Sequence, residues 1–168
     1  WTERSREFLA HLVTDRPAIQ ELFSTDVPLG AMISFEGDAG DTHREGRSVA
    51  IVTFESGLKL VYKPKPLATE VHFQELLGWL NERGADPPFR LLKVLDRGDH
   101  GWCEFIEHRP CTSIEEVDRF YARQGENLAL LYAIGASDFH FENLIAAGEH
   151  PVLVDLEVLF HPVFVNEP

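Results

Sequence analysis

The stretch from Ser137 to Glu157 constrains this chain most. A carboxylate, an imidazole and a carboxamide fall at Asp138, His140 and Asn143, and two short apolar runs around Gly148 then lead into Asp155 and Glu157. The runs predict strands over 144–146 and 152–154, a hairpin that carries Asn143 back beside Asp155. These residue types in this order fit a catalytic loop feeding a metal site. Phosphoryl transfer from a nucleotide needs a group that orients the attacking hydroxyl, a role open to Asp138, and oxygen ligands for Mg2+, a role open to Asn143 and Asp155. Each carboxylate alone also has a plainer account, because an Asp opening a loop often closes an Asx-turn and an Asp ending a strand often caps a surface. The apolar run Val152, Leu153, Val154 leads directly into Asp155, which favours a carboxylate at the mouth of a core.

At 168 residues the chain is long enough for one domain with a sizeable core, or for a piece of a larger one. It starts at Trp1 and stops soon after the central motif, which suggests an excised fragment. The net charge of −13 argues against a nucleic-acid surface, which needs clustered Lys and Arg, and against docking on anionic membranes. No apolar run is long enough to span a bilayer and none resembles a signal region, so the cytoplasm is the default compartment. Cys103 and Cys111 are too few for a disulfide framework and lack the clustering of a zinc site.

In chain order, Phe8, Leu9, Leu12 and Val13, then Ile19, Leu22 and Phe23 after Pro17, predict two short amphipathic helices. Strands are expected over 29–35, 48–54 and 59–63, the last two joined by a tight turn at 55–57. The glycine-containing loop between the first two strands has neither Walker nor dinucleotide-binding spacing. In it Asp41 and His43 alternate, so an extended loop projects them to one side as an acid–base or metal pair; a solvated hairpin loop is the plainer account. Val61 and Lys63 share one strand face, which suits adenine over Val61 and phosphates at Lys63, although lysine also serves to blunt edge strands. A helix over 68–82 follows, offering Glu70 or Glu75 as a partner for Lys63, or as solvated charges. Two more strands over 91–95 and 102–106 flank a turn, and 107–110 reads as a linker. Ser113 to Glu116 has capping-box form and starts a helix carrying Val117, Phe120, Leu128, Leu131 and Tyr132 to a stop at Gly135. The expected division is an N-terminal helical segment at 1–27, an antiparallel sheet lobe with one helix at 28–107, and a helix, catalytic loop and metal-binding hairpin at 108–168, all within one truncated domain.

The order of these parts, a strand lysine, a helix, two strands, a linker, a long helix, Asp-x-His-x-x-Asn and a strand ending in Asp, resembles a kinase-like α+β fold. The segment Asp138 to Asn143 resembles the catalytic loop of phosphoinositide-type lipid kinases more than that of protein kinases. Four motifs, Gly40 to Val49, Val61 to Lys65, Asp138 to Ala146 and Gly148 to Glu157, are together similar to the dehydratase domain of class II lanthipeptide synthetases, the LanM family. The resemblance implies an enzyme that phosphorylates Ser and Thr of a ribosomal precursor peptide using ATP and Mg2+, then eliminates phosphate. By motif match it assigns Lys63, Asp138, His140, Asn143 and Asp155 to phosphorylation and Asp41 with His43 to elimination, while Glu157 matches the acidic residue two after the metal-binding Asp. It also implies a longer dehydratase and a zinc-dependent cyclase domain as partners; this chain has no Cys and His cluster with which to form thioethers. Two rivals stand beside it. A two-metal hydrolase could use the pairs Asp41/His43, Asp138/His140 and Asp155/Glu157, and a non-catalytic module could retain the kinase-like fold.

Overall fold

The first helix is continuous through a proline. In a computed structural model, which describes residues 2–37, 49–136, 140–156 and 159, α1 (Thr2–Phe23) passes Pro17 unbroken where the sequence predicts two helices. Proline in a helix interior removes one backbone bond and crowds the preceding turn, at about 3 kcal/mol. Packing outweighs that cost: Phe8, Leu12, Asp15 and Ile19 form one helical stripe and all are buried. Each buried apolar chain contributes roughly 1.5–3 kcal/mol. Gln20 fixes the helix exit, donating to the Val27 carbonyl at 2.8 Å and accepting from the Leu29 amide at 2.7 Å.

Five strands follow: β1 (Met32–Glu36), β2 (Ala50–Phe54), β3 (Lys59–Lys63), β4 (Val94–Asp96) and β5 (Gly101–Glu104). They form one antiparallel sheet in the order β1-β2-β3-β5-β4. The first strand starts later than the apolar pattern suggests because Gly30 takes a positive φ of 72° and the Ala31 amide turns to the Glu55 carboxylate at 2.7 Å. The chain is therefore α+β, and it divides into two compact units, Trp1–Val71 with Leu92–Phe105 and His72–Leu91 with Ile106–Pro168.

In the first unit one sheet face buries Ala50, Val52, Phe54, Leu60, Tyr62 and Trp102 against Phe8, Leu12 and Ile19 of α1. In the second, Phe73 and Leu77 of α2 (Ala68–Glu82) pack with Leu131 of α3 (Ile114–Ala133) and with Leu153, Leu156 and Leu159. The α3 N-cap is Ser113, whose hydroxyl accepts from the Glu116 amide at 3.3 Å. Glu116 reaches the Thr112 amide at 2.6 Å, one residue outside a capping box. The buried stripe of α3 is Arg123, Asn127 and Leu131, while the Leu128 and Tyr132 expected on its packing face are exposed. A hairpin of β6 (Leu144–Ala147) and β7 (His150–Leu153) completes the second unit.

Candidate functional site

Two constellations carry the described site residues, one in each unit. In the first, alternation along β3 turns Leu60 and Tyr62 into the core, and Val61 and Lys63 toward the other face. Lys63 Nζ donates to Glu70 Oε1 at 3.3 Å, and the two side chains are only 11% and 8% exposed. Of the two open partners it is thus Glu70 that meets Lys63, whereas Glu75 lies exposed beside His72 at 2.9 Å. Placing Glu70 depends on the start of α2. Leu67 is fully buried over Gly101, the cross-strand partner of Lys63, and the Leu67 amide donates to Asp96 Oδ1 at 3.0 Å. A Cβ on Gly101 would stand 2.4 Å from Leu67 Cδ1 and 2.6 Å from the Leu95 carbonyl, so this close approach requires glycine. Val61 pairs with Ile51 on one side and Cys103 on the other. Burial pushes the Cys103 thiol up to about 11, so it is an inert, apolar-like neighbour of Val61.

The second constellation is the hairpin. A 3-10 turn at Phe141–Asn143 precedes β6. The His140 amide donates to Asn143 Oδ1 at 3.1 Å and the Asn143 amide to the His140 carbonyl at 3.0 Å. Pairing runs Leu144 with Leu153 through Ala147 with His150, and the Val154 amide donates to the Asn143 carbonyl at 2.8 Å. Asn143 thus lies across the ladder from Val154, immediately before Asp155. Asp155 has a φ of 56°, the one non-glycine in the left-handed region among the described residues. It is held between the buried Leu153 and Leu156, whose packing over-determines a backbone conformation that costs roughly 1–3 kcal/mol. His140 is half exposed, its Nδ1 3.8 Å from Glu142 Oε2.

Polar side chains on α3 hold this hairpin. Asn127 Nδ2 donates to the Pro151 carbonyl at 3.1 Å and Arg123 Nη1 to the Glu149 carbonyl at 3.0 Å. The Glu149 carboxylate accepts from Arg119 Nε at 2.6 Å and from Arg123 at 3.0 Å; the Arg119 bond holds its carboxyl below the ordinary carboxylate range. Beside β6, the Arg109 amide donates to the Ala146 carbonyl and the Gly148 amide to the Arg109 carbonyl, each at 2.9 Å. Arg123 and Asn127 escaped sequence reasoning because their roles depend on long-range pairing, as did the place of Cys103 beside Val61; the polar i, i+4 spacing of Arg123 and Asn127 between apolar residues was the available signal. Asp41, His43, Asp138 and Glu157 lie outside the described residues.

Oxygen donors of a carboxamide and a carboxylate, delivered by one rigid hairpin, are the donor chemistry that Mg2+ selects. Asn143 Oδ1, used once by the His140 amide, keeps a second lone pair. An α+β chain with a strand lysine paired to a helix glutamate and a hairpin bearing Asn and Asp is the class these features define. The family described as a domain of unknown function (DUF4135) matches residues 1–168, and the chain belongs to it. It is also 34% identical over 137 residues to the lacticin 481/lactococcin biosynthesis protein LcnDR2 of Lactococcus lactis subsp. lactis, a match spanning 76% of this chain and 15% of that protein. The relationship to class II lanthipeptide synthetases drawn from the four motifs stands with these matches. No helix among the described residues is long and apolar enough to cross a membrane.

Proposed function

We propose that the chain carries the nucleotide and Mg2+ groups of a kinase-like lanthipeptide dehydratase, which phosphorylates Ser and Thr of a ribosomal precursor peptide with ATP and then eliminates phosphate. The observation that carries this proposal is the Lys63–Glu70 ion pair at 3.3 Å. Burying two charges is costly, and hydrophobic residues in their place are often neutral or stabilising, so such a pair calls for a reason beyond stability. Glu70 holds the ammonium at the end of β3, where it meets phosphate oxygens, and Val61 and Cys103 offer the apolar surface for the base. Asn143 and Asp155 hold Mg2+, with Glu157 two residues on. When bound, Mg2+ offsets phosphate charge during transfer. Asp138 orients the peptide hydroxyl, with His140 two residues on in the sequence, and Asp41 with His43 serve elimination by moving the α-proton and assisting the departing phosphate.

Lacticin 481/lactococcin biosynthesis in the name of the relative supports a role in lanthipeptide modification. The remaining partners are the rest of a synthetase, including a cyclase domain, acting in the cytoplasm. A two-metal hydrolase leaves the Lys63–Glu70 pair without a task. The test is a thermal-shift panel of Mg-ATP, Zn2+ and Mn2+: Mg-ATP is expected to raise Tm, because a ligand selective for the native state stabilises it. No shift with Mg-ATP would contradict the proposal, and a shift with Zn2+ or Mn2+ in the absence of nucleotide that Asp155→Asn abolishes would favour the hydrolase.

A further inference from the structure

On the α1 side of the first unit, a cluster of ionisable groups takes no part in the proposed phosphotransfer. Asp15 of α1 is 1% exposed, and its carboxylate accepts from Trp102 Nε1 at 2.8 Å and from Arg97 Nε at 2.8 Å. The same carboxylate meets His100 Nε2 at 2.7 Å, so the buried His100 ring is fixed in orientation. Its other nitrogen, Nδ1, lies 2.6 Å from Asp99 Oδ1, and the Asp99 side chain is 79% exposed. His11 stacks on His100 with ring centroids 3.5 Å apart and planes 4° from parallel, and its Nδ1 is 2.9 Å from the Tyr62 hydroxyl. One donor atom from each of His11, Asp99 and His100 lies within 4.8 Å of the others.

We propose that His11, Asp99 and His100 form a binding site for a transition-metal dication of the Zn2+ class. Two imidazoles and one carboxylate are a recurrent three-ligand set for Zn2+, with a fourth position left for water or another ligand. Bonds of about 2.0–2.1 Å in tetrahedral geometry put ligand atoms roughly 3.4 Å apart, so the donors need to shift by less than about 1 Å in the case of His100 and Asp99, and His11 needs to turn its ring. Asp15 on the far nitrogen of His100 completes the carboxylate–histidine–metal arrangement that orients ligating imidazoles, with Trp102 and Arg97 holding Asp15 in turn. Burial, and after it the neighbouring His100, lower the pKa of His11, a shift toward the neutral form that ligates. The ion takes the place of the hydrogen between His100 Nδ1 and Asp99 Oδ1, and that proton passes to solvent through the exposed Asp99. The alternation of β3 sends Tyr62 to this side and Lys63 to the other, so the site is separate from the Lys63–Glu70 pair.

Metal-free intact protein titrated with Co2+ tests the site, because tetrahedral Co2+ absorbs in the visible. His11→Ala and Asp99→Asn each remove a ligand and leave the Asp15–His100–Trp102 brace in place. The parent is expected to bind one equivalent more than either variant, with visible bands that Zn2+ abolishes and excess Mg2+ leaves unchanged. Equal stoichiometry in parent and variants, or no visible band from this equivalent, would overturn the proposal. Should His11→Ala fail to fold, the exposed Asp99→Asn decides alone: a loss of at least tenfold in Co2+ affinity upholds the site, and unchanged affinity refutes it.

Discussion

Lys63 and Glu70 place opposite charges where little water reaches them, and this governs how each can be altered. Removing one partner strands the other, at about 3–5 kcal/mol, whereas an exposed pair such as His72–Glu75 is worth about 0–1 kcal/mol. Glu70→Ala is therefore expected to lower the urea midpoint much more than Glu75→Ala. For the same reason Lys63→Ala alone confounds stability with chemistry, and Lys63→Met with Glu70→Leu is the cleaner variant. It should fold about as well as the parent and lose phosphorylation by at least about 10²-fold, the scale of one lost electrostatic contact at a transferring group. Asp155 separates backbone from side chain in another way. Asp155→Gly and Asp155→Ala both delete the carboxylate, but only glycine accepts a φ of 56° without strain. The glycine variant should be the more stable of the two by roughly 1 kcal/mol in denaturant titration, with phosphorylation abolished in both.

Elements in this chain are set partly by local pattern and partly by distant partners. Asn127→Leu leaves the Pro151 carbonyl buried without its donor, a loss of roughly 1–3 kcal/mol, and should loosen the β6–β7 hairpin first; hydrogen exchange at Leu144 to Leu153 measures that. The Arg119–Glu149 bridge acts at the same hairpin turn. Because Glu149 is held below its ordinary value, its contribution is fully present above the unfolded carboxylate pKa of about 4.3 and disappears as pH falls through the lower folded value. Glu149→Gln should thus flatten the acid limb of the stability curve, while leaving the change between neutral pH and pH 9 as in the parent. β3 over Lys59–Lys63 and α2 over Ala68–Glu82 were legible with these bounds, because alternation and a 3.6-residue period agree there with flanking Pro and Gly. The hairpin linking Asn143 to Asp155 was legible for the same reason, from two apolar runs around Gly148. The path of α1 through Pro17 was not, since burial of Asp15 and Ile19 overrides the local cost of proline. Nor was the polar packing face of α3. Arg123 and Asn127 are buried because carbonyls of a hairpin more than 20 residues away need donors, and their i, i+4 spacing in the helix does not say which carbonyls those are.

At the scale of the whole molecule, each unit carries its own share of the proposed chemistry: the lysine and its glutamate in one, the Asn and Asp of the hairpin in the other. The chain spans 15% of the length of its relative LcnDR2, so the full reaction is a matter for the intact protein. Removing both Asp41 and His43 side chains there should divide the two half-reactions, because general acid–base help is worth roughly 10²- to 10⁴-fold and elimination stalls without it. The phosphoester should then persist. Intact-mass spectrometry of the precursor peptide after incubation with Mg-ATP and this double variant tests the account most directly. Phosphate adducts in place of water losses are the predicted result, and they should vanish when Lys63→Met and Glu70→Leu are added. Ordinary dehydration that survives the Lys63→Met and Glu70→Leu changes would contradict the assignment of phosphoryl transfer to this chain.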